Sequence, residues 1–412
     1  MEKTIEKRNE VRISYQIEII NLLRKGKRTI TEIAKILGVS FTAISRIVDE
    51  LVKTKLLKYS NKKQIKTRGR NPSFVELNCD DGVVCSIDCS SFDVRVILAS
   101  LDNSVIVEDC IPDVKYMDKE LIRQLEIIIK TLLEKPEVNN RKLLSICISS
   151  PGLIRPDSFE YVTSRRLKES TIVNPVSYLS NVFNVNVEMH NDVRLGCLAE
   201  LKFGSFPKRP FNGLFIHVSF AAGLALVFNG KIYKGSHNFS GETPVYIGND
   251  DITKESQWNA RFFSIWEINQ AIKRYKNLPV EPFNEFVDLE KIIEDYKNGD
   301  PQTVRAVEVS AKRNAITIFG LATILDIDYV VIEGRVLDFG QEYLDLIRKD
   351  IDDFSVSDIR TRILTSGLKD VGCAMGAVYQ ACSMYFRDTI ENSTRERFNV
   401  TNFVLEEKYR DL

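Results

Sequence analysis

"IHVSFAAGLALVFNGKIYKG", residues 216–235, is the stretch on which the fold turns. It holds two short apolar runs around a turn at Phe220–Ala222, and then a second turn at Asn229-Gly230 that leads into a third run. The style is that of a loop that cradles a nucleotide phosphate. Such a turn needs glycines, because close backbone approach to a phosphate requires a missing Cβ and freedom at positive φ. Here it offers Phe220, Ala221 and Ala222. Residues 83–109, "VVCSIDCSSFDVRVILASLDNSVIVED", repeat the same strand, turn, strand, turn, strand grammar. Each hairpin unit is followed by helical stretches, which predicts a duplicated α/β body with a cleft between its halves.

The rest of the composition is that of a globular chain: 412 residues, 44% hydrophobic, with 57 Lys+Arg against 57 Asp+Glu. That length predicts two or three domains with real cores. No run approaches the roughly 20 apolar residues that span a bilayer, and "MEKTIEKRNEVR" lacks the apolar stretch of a signal peptide, so a cytoplasmic protein without a membrane partner is expected. The eight cysteines, at 79, 85, 89, 110, 147, 197, 373 and 382, form no CxxC pair and lie mostly in apolar segments. They are expected to be reduced, buried thiols. Cys85 and Cys89 are half a metal site at most, since none of His190, His217 and His237 lies near them in sequence, and a structural role is expected for the pair.

The neutral total hides an asymmetry. Residues 1–72 hold 18 Lys+Arg and 7 Asp+Glu, a net +11, which leaves −11 for the remainder. A basic head on an acidic body points to a polyanion as the partner of the head. In "RISYQIEIINLLRKGK" the residues Ile13, Ile17, Ile20 and Leu23 are spaced for one helix, closed by Gly26. "TITEIAKILGVSFTAISRIVDELVKTKLL" supplies two more: Thr29 and Glu32 form a capping-box pattern, Gly38 breaks the chain, and Ser40 caps the second of the two. Ile33, Ala34 and Leu37 face inward on one helix, and Ile44, Ile47, Val48 and Leu51 on the next. This is the helix-turn-helix pattern, which leaves Ser40, Thr42, Ala43, Ser45 and Arg46 as the DNA-facing set. "KYSNKKQIKTRGRNPSFVEL" then predicts a strand, a turn at Ser60–Lys63, a second strand and a basic loop in which Arg68, Gly69 and Arg70 enter a minor groove. The alternative for this segment is a solvated basic domain that binds protein.

A winged helix-turn-helix followed by "SSPGLI" at 149–154, "HNDVRLGCLAE" at 190–200, "SGETPVYIG" at 240–248 and "VVIEGRV" at 330–336 resembles the ROK family of repressors and sugar kinases over nearly the whole chain. The resemblance implies an α/β fold in which the winged head, residues 1–75, precedes a duplicated, actin-like or hexokinase-like (ribonuclease H-like) two-lobed body. The first lobe is expected over 76–200 and the second over 201–412, with a dimerisation surface on the second and a C-terminal helix free to return to the first. It also implies sugar contacts. Asn191 and Asp192 match the family's Asn-Asp pair, whose aspartate binds the sugar and serves as base in the kinases. Asn174 falls where a further sugar-contacting asparagine is expected, and Glu242 matches the glutamate of a Gly-Glu-x-Gly-His motif. Read as structure alone, Asn191-Asp192 is a helix cap and Glu242 a turn residue.

The departures from the family's pattern are concentrated on nucleotide and zinc. The first phosphate loop is Asp88, Cys89, Ser90, Ser91, Phe92 in place of Asp-x-Gly-Gly-Thr. The second has lost glycines at Ser219, Ala221 and Ala222 and keeps Gly223, while the adenosine-side motif has become Glu333, Gly334, Arg335. Pro244 and Val245 replace the Gly-His of the Glu242 motif, and "NDDITKESQWNARFFS" holds no cysteine, so neither a zinc nor any other cofactor is expected. The expectation is a transcriptional repressor, a homodimer or dimer of dimers on double-stranded DNA, gated by a sugar and without enzymatic activity. The alternatives are an active sugar kinase with a fused head, and a regulator that senses no sugar.

Overall fold

The computed structural model describes residues 2–60, 74–163, 174–242, 264–280, 287–354 and 361–398. The head contains α1 (Glu2–Leu23), β1 (Arg28–Thr29), α2 (Ile30–Leu37), α3 (Phe41–Lys53), β2 (Leu57–Ser60) and β3 (Phe74–Leu77). The capping box forms: the Thr29 Oγ1 accepts from the Glu32 N–H, and the Glu32 carboxylate accepts from the Thr29 N–H. Gly38 takes the left-handed conformation, φ 65°, that closes α2. Ile33, Ile44, Val48 and Leu51 are buried together with Ile13, Ile20 and Leu23 of α1, each burial stabilising by about 1.5–3 kcal/mol. The sheet order is β1-β3-β2, with Ser60 opposite Phe74. The basic loop expected to carry Arg68, Gly69 and Arg70 lies outside the described residues.

The body repeats one topology twice. β4 (Gly82–Asp88), β5 (Val94–Ala99) and β6 (Val105–Ile111) form an antiparallel meander, and β7 (Lys142–Ser150) and β10 (Asn186–Asn191) add in parallel to β4, in the order β10-β7-β4-β5-β6. The small hairpin β8 (Leu153–Ile154) and β9 (Tyr161–Thr163) is inserted after β7. The second sheet does the same with β11 (Gly213–Val218), β12 (Ala222–Phe228), β13 (Lys231–Tyr233), β14 (Tyr329–Glu333) and β15 (Arg362–Thr365), in the order β13-β12-β11-β14-β15. The duplication expected from two hairpin units is therefore a duplication of strand order and direction as well.

The helices α4 (Lys119–Leu133) and α5 (Pro175–Phe183) cover one face of the first sheet, and α7 (Ile265–Tyr275), α8 (Leu289–Lys297), α9 (Pro301–Leu325) and α10 (Gln341–Phe354) cover one face of the second. The two remaining helices are exchanged. α6 (Asp192–Lys202) follows the first sheet and packs on β11 and β12 of the second, whereas α11 (Gly372–Phe398) follows the second sheet and packs on β4 and β7 of the first. Small residues make the second contact close: Ala374, Ala377 and Ala381 line α11, and Ser86 and Ser145 on the sheet donate to the carbonyls of Ala374 and Ala381 at 2.9 and 2.8 Å.

α6 and α11 also cross each other with almost no space between their backbones. A Cβ on Gly376 would lie 1.9 Å from the Leu195 carbonyl oxygen, so only glycine fits there. Gly376→Ala is expected to force the helices apart and cost about 1–3 kcal/mol, as overpacking does. Urea unfolding measures this, and an unchanged midpoint would show that the crossing yields freely.

The head is docked on this crossing. The Arg24 guanidinium, beyond the end of α1, lies 3.9 Å from the centre of the Tyr379 ring and donates to the Ser383 Oγ at 3.0 Å. The Tyr379 hydroxyl donates to Asn21 at 3.2 Å, and Lys202 and Phe203 at the end of α6 meet the same ring. One apolar core runs from the head through α11 to the first sheet.

Candidate DNA interface and ligand cleft

α3 presents one buried and one open face. Ser40 caps it, its Oγ accepting from the Ala43 N–H at 3.3 Å. Thr42 and Arg46 are exposed, Ala43 and Ser45 are half-buried, and Ile44, Ile47, Val48 and Leu51 hold the helix to the core. The sequence reading missed Phe41, which is 55% exposed at the first helical position. Its only signal was an aromatic between a cap and the inward face, where an apolar ring can meet a thymine methyl. Arg46→Ala is expected to weaken operator binding by about 1–3 kcal/mol, on the order of tenfold, in titrations at fixed salt. Unchanged affinity would remove α3 from the interface.

In the cleft, Asn191 and Asp192 play different parts. Asn191 is the N-cap of α6: its Oδ1 accepts from the Arg194 N–H at 3.1 Å and its amide donates to the Gly152 carbonyl at 3.2 Å. Asp192 is buried at the first position of α6, with one oxygen accepting from the Val193 N–H at 2.9 Å. Burial and the neighbouring Asp88 push its carboxyl up to about 6, against the pull of His217. Glu242, exposed, lies within electrostatic reach of both Asp192 and Arg194. Arg194 itself was not foreseen. It clamps the 235–240 loop onto α6, donating to the Asn238 Oδ1 at 2.6 Å and to the Asn238 and Ser240 carbonyls at 2.7 and 3.0 Å. Asn174 caps α5, with its Oδ1 accepting from the Val176 N–H at 2.9 Å, and among the described residues nothing joins it to this group.

The phosphate side of the cleft answers the question raised by Phe220. The turns after β4 and β11 face each other, and Phe92 of one meets Phe220 of the other edge-on, with ring centres 4.7 Å apart. The first N–H groups of α7 donate to the carbonyls of Ser219 and Phe220 at 2.9 and 3.4 Å, so a helix end that could attract an anion is turned onto the loop itself. Behind the aromatic pair, Asp88 is buried with its Oδ1 accepting from the Ser90 N–H at 3.0 Å. His217 pairs with Glu333 through its Nδ1 at 2.8 Å. Burial alone would lower the imidazole, but the Glu333 bond and the charges of Glu333, Asp192 and Asp88 hold it above its ordinary value. Carboxylates and aromatic rings thus stand where phosphates need glycines and cations.

Six of the cysteines are buried, Cys85 and Cys89 among them, while Cys79 is half-buried and Cys110 exposed, which corrects the expectation for those two. Pro244, Val245 and the cysteine-free stretch after them, up to residue 263, lie outside the described residues.

A helix-turn-helix head on a duplicated kinase-like body whose phosphate side is closed by side chains defines the class of the molecule. The chain belongs to the ROK family, whose sequence profile matches residues 85–247 and 268–383. Residues 14–51 match the profile of bacterial regulatory proteins of the arsR family. The chain is 25% identical over 369 residues to the xylose repressor of Caldicellulosiruptor bescii, covering 86% of this chain and 91% of that protein. It is 21% identical to the Escherichia coli DNA-binding transcriptional dual regulator NagC over 78% of this chain and 80% of that one. A solved ROK family transcriptional regulator homologous to the E. coli MLC protein aligns with a TM-score of 0.73 at 17% identity, covering 93% of this chain and 99% of that one. A ROK family glucokinase from Streptomyces griseus, in complex with glucose and AMPPNP, aligns at 0.59 and 14% identity, covering 73% and 99%. The resemblance read from the motifs and the two-lobed actin-like fold are both borne out. Among the described residues no helix is long and apolar enough to cross a membrane.

Proposed function

We propose that this protein is a cytoplasmic transcriptional repressor of sugar-metabolism genes, whose body binds a sugar inducer and does not phosphorylate it. The observation that carries the reading is the course of α6. It begins at the buried Asp192 in the cleft and ends at Lys202, beside the Tyr379 ring on which the head is docked. A sugar that holds Asp192 and Arg194 therefore bears on the seat of the DNA-binding head. The protein acts as a homodimer or a dimer of dimers, placing two α3 helices about 34 Å apart on a pseudo-palindromic operator. Ser40, Thr42, Ala43, Ser45 and Arg46 face the major groove, and Arg68, Gly69 and Arg70 follow the minor groove.

Genome-wide recovery of bound DNA, followed by titration of the best site with sugars added one at a time, tests this directly. Release by one sugar is expected. Tight binding indifferent to every sugar would reduce the cleft to an inherited scaffold, and no preference over random DNA would remove the regulator reading altogether.

Asp192 favours a second reading, an active kinase, because a buried carboxyl held near 6 suits a general base. A base supplies about 10²–10⁴-fold in rate, whereas phosphoryl transfer depends mainly on holding and neutralising the phosphates. The Phe92–Phe220 contact opposes that grip. No ATP-dependent phosphorylation of a hexose panel is expected, and turnover abolished by Asp192→Asn would establish the kinase.

A further inference from the structure

We propose that His217, Glu333 and Cys373 form a zinc-type divalent cation site at the junction of the two lobes. The imidazole, carboxylate and thiol donors lie within 4.8 Å of one another, on the end of β11, the end of β14 and the first turn of α11. Mixed nitrogen, oxygen and sulfur donors suit a borderline-soft ion such as Zn²⁺, whose bonds are about 2.0–2.3 Å.

The backbone is shaped for this meeting. A Cβ on Gly372 would lie 2.1 Å from the Glu333 Oε1, so glycine at the start of α11 lets the carboxylate rest beside Cys373 while its other oxygen pairs with His217 at 2.8 Å. Charge makes the same demand. Asp88 and Asp192 are buried in the same cleft as Glu333, so an ion held there would lie among buried carboxylates. A divalent ion supplies the missing positive charge. Binding requires a thiolate and a neutral imidazole nitrogen, so it is accompanied by proton release.

His217 keeps 14% of its side chain exposed against 1% for Glu333, so the ion enters from the cleft. Once bound, it ties two strand ends of the second lobe to the helix that lies on the first.

Co²⁺ titration of the metal-stripped full chain reads the site. One equivalent per chain is expected, with a thiolate-to-cobalt charge-transfer band that Cys373→Ser abolishes and Cys110→Ser, which removes the exposed thiol, retains. His217→Gln is expected to weaken binding at least tenfold. Absence of saturable binding, or a band that survives Cys373→Ser, overturns the site. Where urea unfolding shows that Cys373→Ser does not fold, undiminished affinity in His217→Gln overturns it equally.

Discussion

Glu188→Gln is expected to lower the unfolding free energy at pH 7 by on the order of 3 kcal/mol, and to lose more than half of that deficit by pH 3. Glu188, on β10, is buried and bonded to Arg387 at 2.5 Å, His190 at 2.8 Å and Gln380 at 3.3 Å, two of the three partners being on α11. Burial alone would raise its carboxyl. The His190 hydrogen bond and charge, with the Arg387 guanidinium, outweigh burial and hold it at about 2, below the ordinary 4.5. A depressed carboxyl stabilises the fold fully above its unfolded value, and the contribution is lost as pH falls from about 4.5 toward 2. The neutral glutamine lacks that contribution at every pH and leaves Arg387 buried beside it, a loss of the size seen when buried pairs are broken. Urea unfolding at pH 7 and pH 3 measures both numbers. A deficit independent of pH would mean that the ion pair is not its source.

The interaction also explains why a helix from one end of the chain stays on a sheet from the other, and such pairings were the least legible part of the sequence. The capping box at Thr29 and Glu32, the left-handed Gly38 and the two hairpin units are local patterns, set within a few residues, and each was readable. The packing of α6 on the second sheet was not, and a returning C-terminal helix was expected only through the family resemblance, because helical periodicity names a buried face without naming what covers it. The same holds for the cleft. Asp192 and Glu242 became candidates through a motif, but Arg194 stands in that motif as one more charged helix residue, and only the fold brings it to Asn238 and Ser240. His217 and Glu333 lie on neighbouring strands that pair in register, yet the chain separates them by a whole helical layer. The glycine losses around Phe92 and Phe220, at Ser90, Ser91, Ser219, Ala221 and Ala222, were visible in the sequence. That the two rings replace a phosphate with each other depends on how the lobes face.

Asp192→Asn is expected to weaken the inducer's hold by 10- to 100-fold while leaving operator binding without sugar unchanged. A hydrogen bond to a charged acceptor is worth about 1.5–3 kcal/mol, and the asparagine keeps the size of the side chain while removing the charge. One carboxylate oxygen of Asp192 is engaged by the Val193 N–H. Among the described residues no other residue donates to the second oxygen, which is the acceptor offered to a ligand hydroxyl. From that point α6 runs eleven residues, about 16 Å, to Tyr379 and the head. A ligand can move the head only by its difference in affinity for the two positions, and each tenfold preference changes operator affinity by the same factor. Tyr379→Ala separates the two ends of this path: it should keep sugar binding, read by thermal shift, and lose sugar-dependent release from DNA. Asp192→Asn that releases DNA at the wild-type sugar concentration would place the inducer elsewhere. Tyr379→Ala that still responds would show that the signal bypasses the end of α6.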